Sequence, residues 1–407
     1  MKSFDIPSVY KSDFISNLKE KRRLKDKLKK DFSPTVLNFE HVQLIIARHF
    51  GFCYGVENAV EIAYKALDEN PNKRVYLLGE MIHNPIVNQD LLERGMQFLM
   101  DTSGNKLIPF ESLTPDDVVI VPAFGTTLEL QAELTAQGIN PYSYDTTCPF
   151  VEKVWNRSTQ ISERGYAVII HGKPSHEETR ATFSHSKEAG FSLIINDMED
   201  AQLLAKYIKK EKSKESFYVD FADRYSEGFD PDIHLSKFGV VNQTTMLASD
   251  TQAIANYLKA ALVAHYALSE EQTPGHFAST RDTLCYATND NQDATHALLK
   301  EQADFAVIIG GYNSSNTTHL VELLEPQLPT YFISNSTNIS ETGNVAHYDI
   351  HTHLEKTSQL PSLSVEKLKI IVTCGASCPD ATVDNAIHRI LNLYEEHYDL
   401  HSQLDLL

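Results

Sequence analysis

Short apolar runs recur along the chain. Each closes on a polar or glycine-bearing turn, and stretches with apolar residues at helical spacing separate them. Residues 42–47 run into Gly51-Phe52-Cys53, 75–78 into Gly79-Glu80-Met81-Ile82-His83-Asn84, and 118–121 into Pro122-Ala123-Phe124-Gly125. Residues 166–170 lead to His171-Gly172-Lys173-Pro174-Ser175-His176-Glu177-Glu178-Thr179, and 238–241 to Asn242-Gln243-Thr244-Thr245. Residues 305–309 lead to Gly310-Gly311-Tyr312-Asn313-Ser314-Ser315-Asn316, and 368–372 to Thr373-Cys374-Gly375-Ala376-Ser377-Cys378-Pro379-Asp380. Strands alternating with helices imply parallel sheets, and uninterrupted apolar strands imply cover on both faces. The pattern therefore predicts an α/β fold. Ligands in such folds gather beyond the carboxyl ends of the strands, where all of these turns fall.

Three lone cysteines stand at predicted helix entrances. In Asp145-Thr146-Thr147-Cys148-Pro149-Phe150 the proline suits the first helical position, where an N–H would have no partner. Cys53 precedes a stripe of Val56, Ala59, Val60, Ala63 and Leu67 that Pro71 ends, and Cys285 precedes a helix capped near Asn289 or Asp290. A helix start favours the thiolate, the form that binds metal. Each cysteine is either a small buried core residue or one of a ligand set, and no C-x-x-C pair decides between these. The three stations predict three α/β units meeting around one centre. The boundaries expected are a basic extension over 1–41, a first unit over 42–148, a second over 149–281 and a third over 282–395, then a tail over 396–407. The first strand is expected to pair with the third unit, and the aperiodic stretch near 210–237 reads as an insertion on the second.

Composition narrows the partners. A chain of 407 residues with 42% hydrophobic and 22% charged residues is that of a globular protein. No apolar run approaches the ~20 residues a membrane span needs, and the start lacks a secretory apolar segment, so a cytoplasmic location is expected. Net charge of −19 argues against nucleic acid, which needs a basic surface. Residues 19–30 are the local exception, with eight basic residues against two acidic ones. They read as a solvated extension, or as a docking arm for an acidic protein such as a ferredoxin. Five scattered cysteines do not form a disulfide framework.

Several turns carry chemistry. Ser314-Ser315-Asn316 between a strand and a helix, and Ser377 before Pro379, are either ordinary helix caps or anion sites built from backbone N–H groups and small donors. His171, His176, Glu177 and Glu178 crowd one turn, which is either a solvated loop or a proton-delivery pair. His83 alone reads as a structural histidine. Cys374 and Cys378 read as buried lining of their turn, because adding both to the other three exceeds what one cluster uses. Neither G-x-x-x-x-G-K-[ST] nor a strand-borne G-x-G-x-x-G occurs, so neither a P-loop nor a bound nicotinamide nucleotide is indicated.

Taken together, the motifs resemble those of 4-hydroxy-3-methylbut-2-enyl diphosphate reductases of the LytB type, from about residue 42 to 391. They are G-F-C-x-G-V at 51–56, H-N at 83–84, D-x-T-C-P at 145–149, Q-T-T at 243–245, C-Y-A-T at 285–288, N-S-S-N at 313–316 and G-A-S-x-P-D at 375–380. The insertion and the H-G-K-x-S-H-E-E-T wording are similar to the plant and cyanobacterial long form. The resemblance implies three α/β units with mostly parallel sheets arranged pseudo-three-fold around a central iron–sulfur cluster. It implies that Cys53, Cys148 and Cys285 hold a [4Fe–4S] cluster with one iron open to substrate. It further implies Glu178 as proton donor with His176 beside it, Thr244 orienting the substrate hydroxyl, and His83, His176, Ser314, Ser315, Asn316 and Ser377 around a diphosphate. The reaction implied is reductive dehydroxylation to isopentenyl and dimethylallyl diphosphate, the last step of the non-mevalonate isoprenoid route. Electrons would come from a ferredoxin or flavodoxin, and the chain would act as monomer or homodimer.

One departure stands out. Where the common bacterial form has a diphosphate-contacting histidine in an A-H-G turn, this chain has Phe124, which neither donates to an anion nor carries a proton. Donors within 125–127 are expected to compensate. Two other readings of the same residues are a non-redox hydro-lyase using an open cluster iron and an iron–sulfur sensor.

Overall fold

The computed structural model describes residues 4–278, 283–363, 367–395 and 397–406. The α/β expectation stands, with three sheets that are parallel apart from one edge pair, and a separate antiparallel hairpin. The chain divides into two compact units. One comprises 1–61, 82–90 and 286–407, and the other 62–81 and 91–285.

The first unit is built on a five-stranded sheet in the order Thr35–Asn38, Val42–Ile46, Leu368–Cys374, Phe305–Ile309, Thr330–Ile333. Only the first pair is antiparallel. Leu368–Cys374 lies at the centre and is buried throughout except at Lys369, as a strand covered on both faces must be. Its in-register pairing of Cys374 with Ile309 brings the turns after both strands side by side. The hairpin Asn344–Asp349 with Leu354–Gln359 had no signal in the apolar pattern, because most of its residues are exposed or half-buried.

The basic extension differs from the solvated arm expected of it. Asp13–Lys25 is a helix capped by the Ser12 hydroxyl, which accepts from Ile15 N–H at 3.1 Å. Phe14, Ile15, Leu18 and Arg22 lie on one face and are buried. Four inward residues at helical spacing were masked by the density of lysine and arginine between them. The charged residues from Arg23 to Lys30 stay exposed, apart from the half-buried Asp26.

The second unit holds two parallel four-stranded sheets. One runs Gln97–Phe98, Val75–Leu77, Val118–Val121, Tyr144–Asp145, and the other Phe277–Ala278, Phe238–Asn242, Ala167–His171, Ser192–Ile195. The insertion is not loose. Its short helices Lys214–Asp220 and Pro231–His234 bury Phe217, Phe221 and Phe229, and the rings of Phe217 and Phe229 stack at 5.5 Å. Helices of seven and four residues are too short to show a period, so no apolar pattern marks this aromatic core. Among the described residues no helix is long and apolar enough to cross a membrane.

His49, in the loop after the first predicted strand, is held neutral. Burial, followed by the cations Lys29, Arg48 and Arg22, pushes its pKa down to about 4, against the opposing pull of Asp26. In the unfolded chain its pKa is the ordinary ~6.5, so there it binds more protons than the folded chain between those values. Its contribution is therefore intact above about pH 6.5 and is lost as pH falls toward 4. We expect His49→Gln to flatten that part of a denaturation-versus-pH curve, and an unchanged slope would contradict the assignment.

Candidate active site

In the second unit the strands Ala167–His171 and Phe238–Asn242 pair in register, His171 against Asn242, so their following turns are neighbours. Glu178, in the first turn of the Glu177–Ala189 helix, is 1% exposed. A carboxyl so placed must have its oxygens hydrogen-bonded. Thr244 meets the requirement twice, its N–H donating to Oε1 at 2.5 Å and its hydroxyl to Oε2 at 2.9 Å. Gln243 ties the same two turns, its Oε1 accepting from Lys173 N–H at 3.1 Å and from the Thr179 hydroxyl at 2.9 Å. The Q-T-T wording thus has a mechanical meaning: the amide fixes the turns and the threonine holds the acid.

His176 caps the helix, its Nδ1 accepting from Glu178 N–H at 3.1 Å. With Nδ1 as acceptor, the neutral ring carries its proton on Nε2, so that edge is a donor. Phe124 packs edge-on to this imidazole, with ring centroids 5.5 Å apart and planes at 85°. The phenyl ring thus buttresses the His176 imidazole on one side. The neighbouring Thr126 hydroxyl is buried without a partner among the described residues, a donor of the kind expected to compensate. His171 is drawn elsewhere, its Nδ1 lying 2.9 Å from the Thr251 hydroxyl.

The first unit holds a cradle of donors of its own. Ser314 caps the Ser315–Leu324 helix, and its hydroxyl oxygen accepts from Thr317 N–H at 3.3 Å and Thr317 Oγ1 at 2.9 Å, leaving its own proton to donate. Asn316 Oδ1 accepts from Ala376 N–H at 2.9 Å and Asn291 Nδ2 at 3.2 Å. This fixes the amide, and its Nδ2 is buried with no partner among the described residues. Asn84 repeats the arrangement. Its Oδ1 accepts from Ile86 and Val87 N–H at 3.0 and 3.3 Å, while Nδ2 is buried and unmatched. A buried amide proton pair left unpaired costs about 1–3 kcal/mol, and an incoming anion relieves that cost. Asn84 stands in the H-N motif without a role of its own there; its sequence signal is an amide residue directly before a proline-led helix.

His83 and Ser377 belong to this cradle through the backbone. The Ser377 hydroxyl donates to the His83 carbonyl at 3.2 Å. A methyl group at Gly311 would stand 2.3 Å from the same carbonyl, and one at Gly375 2.0 Å from Thr317 Oγ1. Ser315 is buried at the first position of its helix.

The three cysteines share one local setting. Cys53, Cys148 and Cys285 each directly precede the first residue of a helix, namely Tyr54–Glu69, Pro149–Glu163 and Tyr286–Leu298. The last begins at Tyr286, three residues before the cap expected at Asn289. Its inward face is polar, with Thr288, Asn291, Gln292 and Thr295 buried, so the apolar pattern could not mark its start. Cys148 N–H donates to the Ala123 carbonyl at 3.0 Å, and Asp145 Oδ1 anchors Thr147 N–H at 2.8 Å. Thr283 donates to Asn242 Oδ1 at 2.5 Å, tying the Cys285 segment to the strand end beside Thr244. Cys53 lies in the first unit, Cys148 and Cys285 in the second. No disulfide is present among the described residues. Cys374 and Cys378 differ: both are fully buried, and burial, reinforced by Cys374, pushes the Cys378 thiol well above its ordinary range. Thiols at three helix starts fit an iron–sulfur group, whose ligands are thiolates; a thiol held protonated does not.

An α/β protein with anion-ready helix starts and a buried, clasped carboxyl is of the class that works on charged small molecules. The sequence model of the LytB protein family matches residues 44–391, and the chain belongs to that family. It is 41% identical over 391 residues to a 4-hydroxy-3-methylbut-2-enyl diphosphate reductase of Synechococcus sp. RCC307, covering 96% of this chain and 90% of that one. Identity to the enzyme of the same name from Rippkaea orientalis is 40% over 360 residues, covering 88% and 86%. The fold is similar to that of the solved E-1-hydroxy-2-methyl-but-2-enyl-4-diphosphate reductase of Plasmodium falciparum, with TM-score 0.62, 18% identity, and 90% and 98% of the two chains covered.

Replacing Gly375 by alanine should force the Thr317 turn to move. We expect a loss of about 1–3 kcal/mol in chemical denaturation, typical of overpacking, with weaker inorganic diphosphate binding by calorimetry. Wild-type values for both would show that the close approach is not needed.

Proposed function

We propose that the chain reduces (E)-4-hydroxy-3-methylbut-2-enyl diphosphate to isopentenyl and dimethylallyl diphosphate, the terminal step of the non-mevalonate pathway. Two electrons and two protons enter; the hydroxyl leaves as water and a carbon–hydrogen bond forms. The observation that carries this reading is the buried Glu178 carboxyl held at both oxygens by Thr244. Hydroxide is a poor leaving group, so an acid must be kept dry and aimed, and this pairing does so.

Cys53, Cys148 and Cys285 are the residues that would hold a [4Fe–4S] cluster. Such a cluster, when bound, supplies electrons singly and an iron of Lewis-acid character. Glu178 delivers the proton, and the Thr244 hydroxyl, able to rotate between the carboxyl and the substrate oxygen, steers it. His176 presents its Nε2–H to anionic oxygen, held in that tautomer by the Glu178 N–H. His83, Ser314, Ser315, Asn316 and Ser377 receive the diphosphate, and we add Asn84, whose buried amide donors suit the same charge. The start of the Ser315–Leu324 helix contributes its dipole and unpaired N–H groups. Electrons arrive from an outside carrier of the ferredoxin or flavodoxin kind, consistent with a sequence that lacks a nucleotide fingerprint.

Anaerobic protein given the hydroxy-diphosphate and an artificial low-potential reductant should form both products. Conversion without a reductant would instead favour a hydro-lyase, and no conversion a sensor. Glu178→Gln should keep the visible absorbance and substrate binding while slowing turnover by ~10² or more; wild-type turnover would remove Glu178 from its role. Serine at 53, 148 or 285 should bleach the protein, and serine at 374 or 378 should not. The reverse result would overturn the ligand assignment.

A further inference from the structure

The stretch matched to the LytB family begins at residue 44, yet residues ahead of it reach into the support of the candidate site. Arg22, 6% exposed, has no carboxylate within its hydrogen bonds. It spends its guanidinium on uncharged oxygens: the Thr35 hydroxyl at 2.8 Å and the carbonyls of Ala47, Arg48 and Ile46 at 2.8, 3.0 and 3.3 Å. Those carbonyls end the Val42–Ile46 strand and begin the loop that carries Cys53. Arg48 answers by donating to the Arg22 carbonyl at 3.1 Å. Burial lowers the Arg22 pKa to about 9, so holding the charge there opposes folding and is tolerated only for what it binds.

Lys19 acts on the other end of the loop. Its ammonium pairs with Asp380 at 2.7 Å, and both Lys19 and Arg22 lie over the Phe50 ring, at 5.0 and 5.7 Å. The pair roofs Gly51: a side-chain carbon there would sit 2.7 Å from Asp380 Oδ1 and 2.8 Å from Lys19 Nζ. Gly51 has φ +82°, so the backbone itself also demands glycine. Tyr10 packs on Phe52 at 6.0 Å and Phe4 on Tyr54 at 4.9 Å, either side of the cysteine. Cys53 N–H then donates to the Ala376 carbonyl at 3.1 Å, in the turn that bears Ser377 and leads to Asp380.

We propose that the N-terminal segment is a clamp that sets the Cys53 thiol, with Arg22 and Lys19 as its positioning residues. The inference rests on the proposed role of Cys53 only for its consequence in catalysis; the clamping is a statement about one thiol and its loop.

The test compares maleimide labelling of Cys53 with that of Cys148 and Cys285, by peptide mass spectrometry on the full-length, metal-free chain under nitrogen. Lys19→Met and Arg22→Met should each raise the Cys53 rate relative to the other two by about fivefold, the shift expected for one lost hydrogen bond. Arg23→Met, one residue along on the exposed face of the same helix and paired with Glu20, should leave the ratio unchanged. Reconstituted Lys19→Met should also lose its visible absorbance faster in air. An unchanged ratio in both variants overturns the clamp, and so does a rise shared equally by all three cysteines with a lower melting temperature, which would mean general loosening. Should Arg22→Met fail to fold, Lys19→Met alone decides. If Cys53→Ser keeps the cluster while the labelling ratio responds, the clamp stands and the ligand assignment falls.

Discussion

The register of parallel strands governs everything else in the site. Two strands that end level, His171 beside Asn242, deliver two turns side by side. Those turns can then share a buried carboxyl without leaving it unpaired. A slip of one residue would turn every side chain of a strand to the opposite face and would separate Thr244 from Glu178. The apolar packing beneath, from Ile169 to Val240, is what resists that slip.

The other unit solves the same problem with the same parts. Ile309 and Cys374 end level, and their turns are stitched by the Asn316 amide as the turns above are stitched by the Gln243 amide. In each case a threonine in the first helical turn presses its hydroxyl against a glycine seven residues earlier: Thr179 lies 2.6 Å from where a Gly172 side chain would start, and Thr317 2.5 Å from the same point on Gly310. His176 and Ser314 occupy the matching cap positions, and Glu178 and Asn316 the residue before the threonine. One template therefore presents an acid in one unit and an amide donor in the other.

How much of this was legible follows from where the apolar residues are. Seven strands were readable because their runs are apolar and almost wholly buried, and they lie within a residue or two of where the pattern put them. Short edge strands such as Gln97–Phe98 and Tyr144–Asp145 were not, since two residues carry no period. Helices next to the site were blurred because they bury polar side chains: Glu178, Thr179, Thr182 and Ser184 all face inward on one of them. The candidate residues were found through motif wording. Gln243 stands in a motif, but that Gln243, Thr179 and Thr317 hold the neighbouring turns is a matter of hydrogen bonds that no residue pattern carries. Arg22 was hidden in a run of like charges, where nothing in composition separates a buried guanidinium from a solvated one.

The bond from Lys19 to Asp380 joins positions 361 apart in sequence, and Lys21 reaches the Leu404 carbonyl near the other end of the chain. Synthesis proceeds from the amino end, so the opening segment emerges long before its counterparts exist. The middle unit, mostly one continuous stretch from 91 to 285, can collapse while the ribosome is still at work. Phe14, Ile15 and Leu18 must wait uncovered until the Asp380–Tyr394 helix has been made. The loop bearing Cys53 is therefore closed only after the residues around Asp380 have been made.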